Sequence, residues 1–225
     1  MTGSEFCLRL GPADGRVRVM FVPPLFEEAN RMRRTLVMAM RALAAHDIAS
    51  LLPDLPGQND SMIATADVTL AQWRRAVAEN VAAEGAPVII ASVRSGALID
   101  DTAVAAGWWR LAPVSGASLV RTMLRARVAS DRERGVESNA DGLLAEARNA
   151  PLLLAGNRLC PAMIAQLQVA QPAPCAPLRT VTLGGGTDQI DGSPLWLRAE
   201  PGEDAVLASA IAADITNWAA TCARR

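Results

Sequence analysis

Residues 88–98, VIIASVRSGAL, constrain the fold more than any other stretch. An apolar run strikes a small-residue turn and then opens a helix pattern. A short, uninterrupted apolar run is the mark of a strand buried on both faces, as in parallel sheets flanked by helices. Similar runs stand at 16–22 (RVRVMFV, closed by Pro23-Pro24), 48–57 (IASLLPDLPG) and 108–116 (WWRLAPVSG). Helix-forming segments separate them. Residues 27–46 place Leu36, Met40 and Leu43 on one face, and 69–85 begin with threonine and end with glycine, as capping chemistry favours. The alternation predicts an α/β fold with a mostly parallel sheet and helices on both faces.

The second half is less regular. Residues 118–135 read as a helix with Leu119, Val120, Met123 and Leu124 in apolar register and arginines at 121, 125, 127, 132 and 134. Residues 136–149 are polar and fit a loop or a short cap helix, so 118–149 reads as a lid inserted over a cleft. A basic amphipathic helix can also lie on anionic lipid, but Asp131 and Glu133 interrupt its charge. APLLLAG at 150–156 returns to a strand signal, and 160–171 form a helix with proline at its start. LRTVTL at 178–183 is a strand, followed by an irregular loop and a long amphipathic helix. At 225 residues the chain fits a single domain, 1–225.

Charge and cysteine usage exclude several classes of function. A net charge of −1 makes no electrostatic case for nucleic acid. His46 is the only histidine, and Cys7, Cys160, Cys175 and Cys222 are scattered without a C-x-x-C pair. No metal and no cofactor is therefore expected. Reduced thiols and an N-terminus without a basic-then-apolar signal predict a cytoplasmic protein. No apolar run reaches the roughly 20 residues of a membrane span, so no stable membrane insertion is expected.

The turn at 92–96 resembles the nucleophile elbow of α/β-hydrolases, G-x-S-x-G, where a sharp strand-to-helix turn exposes a serine. The order of elements follows that plan and implies chemistry beyond the carboxyl ends of the strands. In the frame Ser92-Val93-Arg94-Ser95-Gly96, arginine holds the nucleophile's place. The later strand ends LLLAGNRLCP, so Asn157 and Arg158 stand where an aspartate is expected. Counting back from Glu200-Pro201 puts Pro194 or Leu195 at the histidine's place, and His46 sits in a turn away from the active face. Ser92 and Ser95 read as small residues of a tight turn, and Asp100 and Asp101 as solvent-facing or capping residues of the helix after it. A serine–histidine–acid triad needs a base beside its nucleophile, and none is legible.

FVPPLFEEANRMRR at 21–34 is the most distinctive segment. With DLPGQNDS at 54–61 and the elbow arginine, it resembles the α/β-hydrolase-like proteins of exosortase A loci, in particular the exosortase A system-associated hydrolase 2 type. The resemblance covers 17–109 and returns in AGNRL and SPLW. Its shared positions are Glu27, Glu28, Asn30, Arg33, Arg34, Asp60, Ser61, Arg94 and Arg158. Gln58-Asn59 depart from the small residue and glycine of related hydrolases. The resemblance implies hydrolysis and a role beside polysaccharide export and PEP-CTERM protein sorting, with a protein of that system as partner.

A partly buried arginine at the elbow must be paired, with Glu27 or Glu28 as its partner. Three readings follow. The pair is structural and the protein a non-catalytic or atypical member. Alternatively, Arg94 and Arg158 grip a carboxylate or phosphate of a small anionic or acyl ligand in bidentate fashion. In the third, Glu27 or Glu28 is the general base of an esterase or thioesterase that activates water. The candidate binding set is Asn30, Arg33, Asp60, Ser61, Arg94, Ser95, Arg158 and Trp196, the last at the pocket mouth.

Overall fold

A computed structural model describes residues 5–224. The chain runs through β1 (Cys7–Leu10), β2 (Arg18–Val22), α1 (Glu27–Ala44), β3 (Ala49–Pro53), α2 (Leu70–Ala82), β4 (Val88–Val93) and β5 (Gly107–Leu111). It continues with α3 (Gly116–Glu133), α4 (Ala140–Glu146), β6 (Leu152–Leu154), β7 (Asn157–Leu159) and α5 (Pro161–Val169). β8 (Leu178–Leu183), β9 (Gln189–Ile190) and α6 (Ala205–Cys222) complete it. Seven strands form one sheet in the order β1-β3-β2-β4-β5-β8-β9, with β1 antiparallel and every other pair parallel.

Burial on both faces explains the apolar runs, since every residue of β4 and β5 is buried. The strand's twofold alternation sends Met20, Val22, Ile90 and Trp108 to the face covered by α2, α3 and α5. Val19, Phe21, Ile89 and Trp109 face α1 and α6. α1 buries Met32, Leu36, Met40 and Leu43 at helical spacing and stops before Asp47, which takes a left-handed φ of 58°. α6 is apolar and long enough by composition to cross a membrane, yet one of its faces packs on α1 and β5. It is tied down by Asp214, which accepts from Trp109 Nε1 at 2.6 Å and from Arg179 Nε and Nη2, each at 2.7 Å. Burial alone would raise this carboxyl; Arg179 and Trp109 hold it below its usual range.

Two expectations fail in the second half. LLLAG is not a strand of the sheet: β6 and β7 form a separate two-stranded hairpin, and the strand beside β5 is β8. The excursion between β5 and β8 thus includes the hairpin and α5 as well as α3 and α4. Its apolar residues join the sheet core through Leu119, Met123, Leu152, Leu159 and Met163. Asp131, expected to break the charge of α3, turns inward and is buried against Arg127, Arg134 and Ser138.

The connection from β4 to β5 is the larger departure. The expected helix is absent: Arg94–Leu98 make one 3-10 turn, and the chain reaches β5 at Gly107. A parallel crossover needs about a dozen residues, so this one is near its minimum. Asp100, expected at the surface, is fully buried. Its Oδ1 accepts from Arg110 Nη2 at 2.6 Å, and its Oδ2 from Arg110 Nε at 2.9 Å and Ser92 Oγ at 2.7 Å. Its carbonyl accepts from Trp108 Nε1, and Arg110 Nη1 donates to the Ala173 carbonyl. Burial pushes the Asp100 carboxyl up, against Arg110 and Ser92, which favour the charged form. From the other side, Arg74 Nε donates to the Leu98 carbonyl, tying the crossover to α2. The polar network takes the place of helix hydrogen bonds in holding this segment.

Removing one partner of a buried pair leaves an uncompensated charge. Arg110→Met is expected to cost about 3–5 kcal/mol in urea unfolding. Arg110→Met combined with Asp100→Leu should recover more than half of that loss. Equal losses in the single and double variants would show that packing, and not charge, dominates here.

Candidate functional site

At the end of β4 the backbone turns sharply. Arg94 takes a φ of 54°, a left-handed conformation that costs a non-glycine residue roughly 1–2 kcal/mol. Two residues on, Gly96 lies against the loop after β2: a Cβ there would come 2.4 Å from the Val22 carbonyl oxygen and 2.6 Å from that of Pro23. Only glycine permits this approach. Ser95, fully buried, accepts a hydrogen bond on Oγ from the Leu25 N–H at 2.9 Å. The same loop ends at Phe26, with a φ of 58°, its ring 5.2 Å from that of Trp73.

The Arg94 guanidinium is held on three sides. Nε lies 3.3 Å from Glu28 Oε2, Nη1 donates to the Ala112 carbonyl at 3.2 Å, and Cζ stands 4.8 Å from the centre of the Trp196 ring. A guanidinium over an indole face at this distance is attractive. The Arg94 side chain keeps 18% of its exposure and Glu28 13%. Trp196, expected at a pocket mouth, is buried in the 3-10 turn Leu195–Leu197, with Arg31 Nη1 donating to its carbonyl at 3.0 Å. The loop that carries it is anchored by Asp204, which caps α6 through the Leu207 N–H and accepts from the Ser193 N–H and hydroxyl.

The sequence matches no protein-family model and no curated protein. Solved structures do match the fold over nearly the whole chain. Est1E from Butyrivibrio proteoclasticus, solved with ferulic acid bound, aligns with a TM-score of 0.60 at 15% identity, over 96% of this chain and 95% of its own. A thermophilic esterase from Thermogutta terrifontis, with malate bound, aligns with a TM-score of 0.57 at 11% identity, over 96% and 93%. The fold is that of the α/β-hydrolases.

In an α/β-hydrolase, the oxyanion is held by the N–H after the nucleophile and an N–H from the loop after an early strand. The corresponding groups are the N–H of Ser95 and that of Leu25, and Ser95 Oγ occupies the second. The later strand of the sheet is β8, so Asn157 and Arg158 do not follow it, contrary to the expectation from sequence. The loop after β8 carries Asp188, whose carboxylate turns back to Arg179 near the strand's start, at 3.2 Å. His46 is exposed in the turn after α1.

Beside the elbow lies an open cleft, lined by Glu27, Asn30, Gln58, Asn59, Thr65 and Asn157 among others. Asn30, Gln58 and Asn59 also border a narrower recess with Arg33 and Asp54. The structure therefore gathers Glu27, Asn30 and Arg33, while Glu28, Arg94, Ser95 and Trp196 form the adjoining clamp. Glu27 is half exposed and lies 3.3 Å from Arg31. Arg33 Nη1 donates to the buried Asp54 at 3.0 Å, and Asn59 Nδ2 donates to the same oxygen. Ser61 is a loop staple, accepting from the Gly57 N–H and donating to Glu5. Asp60 and Arg158 are exposed and stand outside the cleft lining, and Arg34 pairs with Glu203 at the surface. Sequence reasoning missed Asp54 and the backbone of Leu25 and Ala112. An aspartate closing an apolar strand is a signal for the first; nothing in side-chain identity marks the other two.

Two outcomes follow from this geometry. Arg94→Ala strips Glu28 of its partner and is expected to cost about 1–3 kcal/mol in urea unfolding. Arg94→Gly frees the left-handed backbone and should lose about 1 kcal/mol less; equal losses would mean the turn is unstrained. The Ser193 hydroxyl and the Leu207 N–H hold the Asp204 carboxyl below the usual range. Such a group stabilises above its unfolded pKa and loses that contribution as pH falls through the depressed folded value. Asp204→Ala should therefore cost about 1–2 kcal/mol at neutral pH. That deficit should shrink as the pH falls below the usual carboxylate range, as read from paired urea midpoints.

Proposed function

We propose that this α/β-hydrolase-fold protein carries out no serine-hydrolase reaction and works by binding a small molecule in the cleft beside its elbow. The observation that carries the reading is Arg94 at the nucleophile's position, its guanidinium engaged by Glu28, the Ala112 carbonyl and Trp196. An arginine has no nucleophilic atom at neutral pH, since its guanidinium stays protonated. The Leu25 N–H, spent on Ser95 Oγ, adds support, because an occupied donor cannot stabilise a developing oxyanion. No helix follows the turn to aim its amino end at that charge. The resemblance of 21–34 and 54–61 to exosortase A system-associated hydrolases supports a cytoplasmic role beside polysaccharide export and PEP-CTERM sorting. A protein of that system is then its partner.

The test is turnover of nitrophenyl butyrate and a short-chain acyl thioester by the wild type, Arg94→Ala and Arg94→Ser. All three are expected to stay at the background rate. Turnover by the wild type that falls in Glu27→Gln or Glu28→Gln would overturn the proposal in favour of an esterase using carboxylate-activated water.

A further inference from the structure

We infer that the cleft beside the elbow takes a neutral polyhydroxylated ligand, a sugar ring or short glycan, gripped by side-chain amides. This inference rests on the binding reading above and names the ligand class. The cleft encloses about 420 Å³ between the first turn of α1, the loop after β3 and the β6–β7 turn. That volume is within the range of small-molecule sites.

Its chemistry is set by four amides and one carboxylate. The side-chain amides of Asn30 and Gln58 make no hydrogen bond to protein among the described residues. Asn59 and Asn157 each commit an amide N–H, to Asp54 and to the Ala155 carbonyl, which leaves their amide oxygens as acceptors. An amide offers both donors and an acceptor, and so does each hydroxyl of a sugar. Asn30 and Asn59 are exposed and Gln58 and Asn157 half-buried, so a polyol binds by replacing water on these amides with paired hydrogen bonds.

The charges around the cleft favour a neutral ligand over an anion. Arg33 is committed to Asp54, Arg31 to Glu27 and the Trp196 carbonyl, and Arg94 to Glu28. Glu27 is the charged side chain on the cleft wall and is paired with Arg31, and no arginine among the described residues lines the cleft to receive a carboxylate or phosphate. An acyl chain finds little apolar surface there, since the exposed wall is mostly polar.

The experiment is a heteronuclear NMR titration of the full chain with maltotriose, cellotriose and N-acetylchitotriose, with citrate and hexanoate as anionic and acyl probes. At least one saccharide is expected to give saturable shifts at residues 26–30 and 57–59, with a Kd on the order of 1 mM. Asn30→Ala and Gln58→Ala should each weaken that binding about three- to tenfold, and Arg158→Ala should leave it unchanged. Melting curves of the variants, expected to match the wild type, separate lost contacts from lost fold. Saturable binding of citrate or hexanoate alone would overturn the inference, as would saccharide binding indifferent to both amide variants. So would the absence of saturable shifts with all three saccharides up to about 50 mM, far above the expected Kd. Ester turnover by the wild type would remove the non-hydrolytic reading yet leave saccharide binding in place, so the two fail separately.

Discussion

The buried contact between Asp100 and Arg110 is the constraint on which the centre of the molecule depends. Arg110 lies in β5, Ser92 in β4 and Asp100 in the turn between them, so one carboxylate binds three consecutive pieces of chain. Two charges withdrawn from water are expensive unless their hydrogen bonds are complete. Here the carboxylate has three donors, and the guanidinium has the Ala173 carbonyl as well. This network lets a 3-10 turn stand where hydrolase folds of this kind run a helix.

The clamp on Arg94 is built outward from that turn. A left-handed residue projects its side chain over the carboxyl ends of the strands, where it meets Glu28 from α1 and Trp196 from the loop before α6. Each contact comes from a different element, and two of these elements are tied together: Arg31 of α1 donates to the Trp196 carbonyl, and the Asp204 N–H donates to Thr35 Oγ1 of α1. An exposed ion pair of this kind would contribute little. Restricted to under a fifth of its exposure and stacked on an indole, the guanidinium is ordered by its surroundings.

Much of this was legible in the chain, and the failures have physical causes. The strand–helix alternation and the elbow are local signals, written in apolar period and in small residues at a tight turn. Arg94 as the occupant of the elbow follows from residue order alone. Asp100 was misread because two adjacent aspartates after an apolar run look like a helix face in water. The contrary signal was Arg110, a charge within the wholly buried strand GWWRL, which demands a partner of opposite sign. LLLAG is as apolar as a sheet strand, since the hairpin it forms packs against α3 and the 3-10 turn Thr65–Asp67. Whether such a strand joins the sheet depends on pairing across distance, which period does not record. Trp196 was misplaced because its environment is set by an arginine about a hundred residues earlier.

The shortness of the link between β4 and β5 has a consequence for how the chain reaches its fold. Loop closure costs less entropy the fewer residues it spans, and contacts of low sequence separation form readily. β4 and β5 are adjacent central strands joined without a helix, so apart from the short β8–β9 pair at the sheet's edge theirs is the least demanding parallel contact in the sheet. Among the central strands, closing the chain at the elbow therefore costs the least loop entropy, and it sets the register of the two strands that flank Arg94.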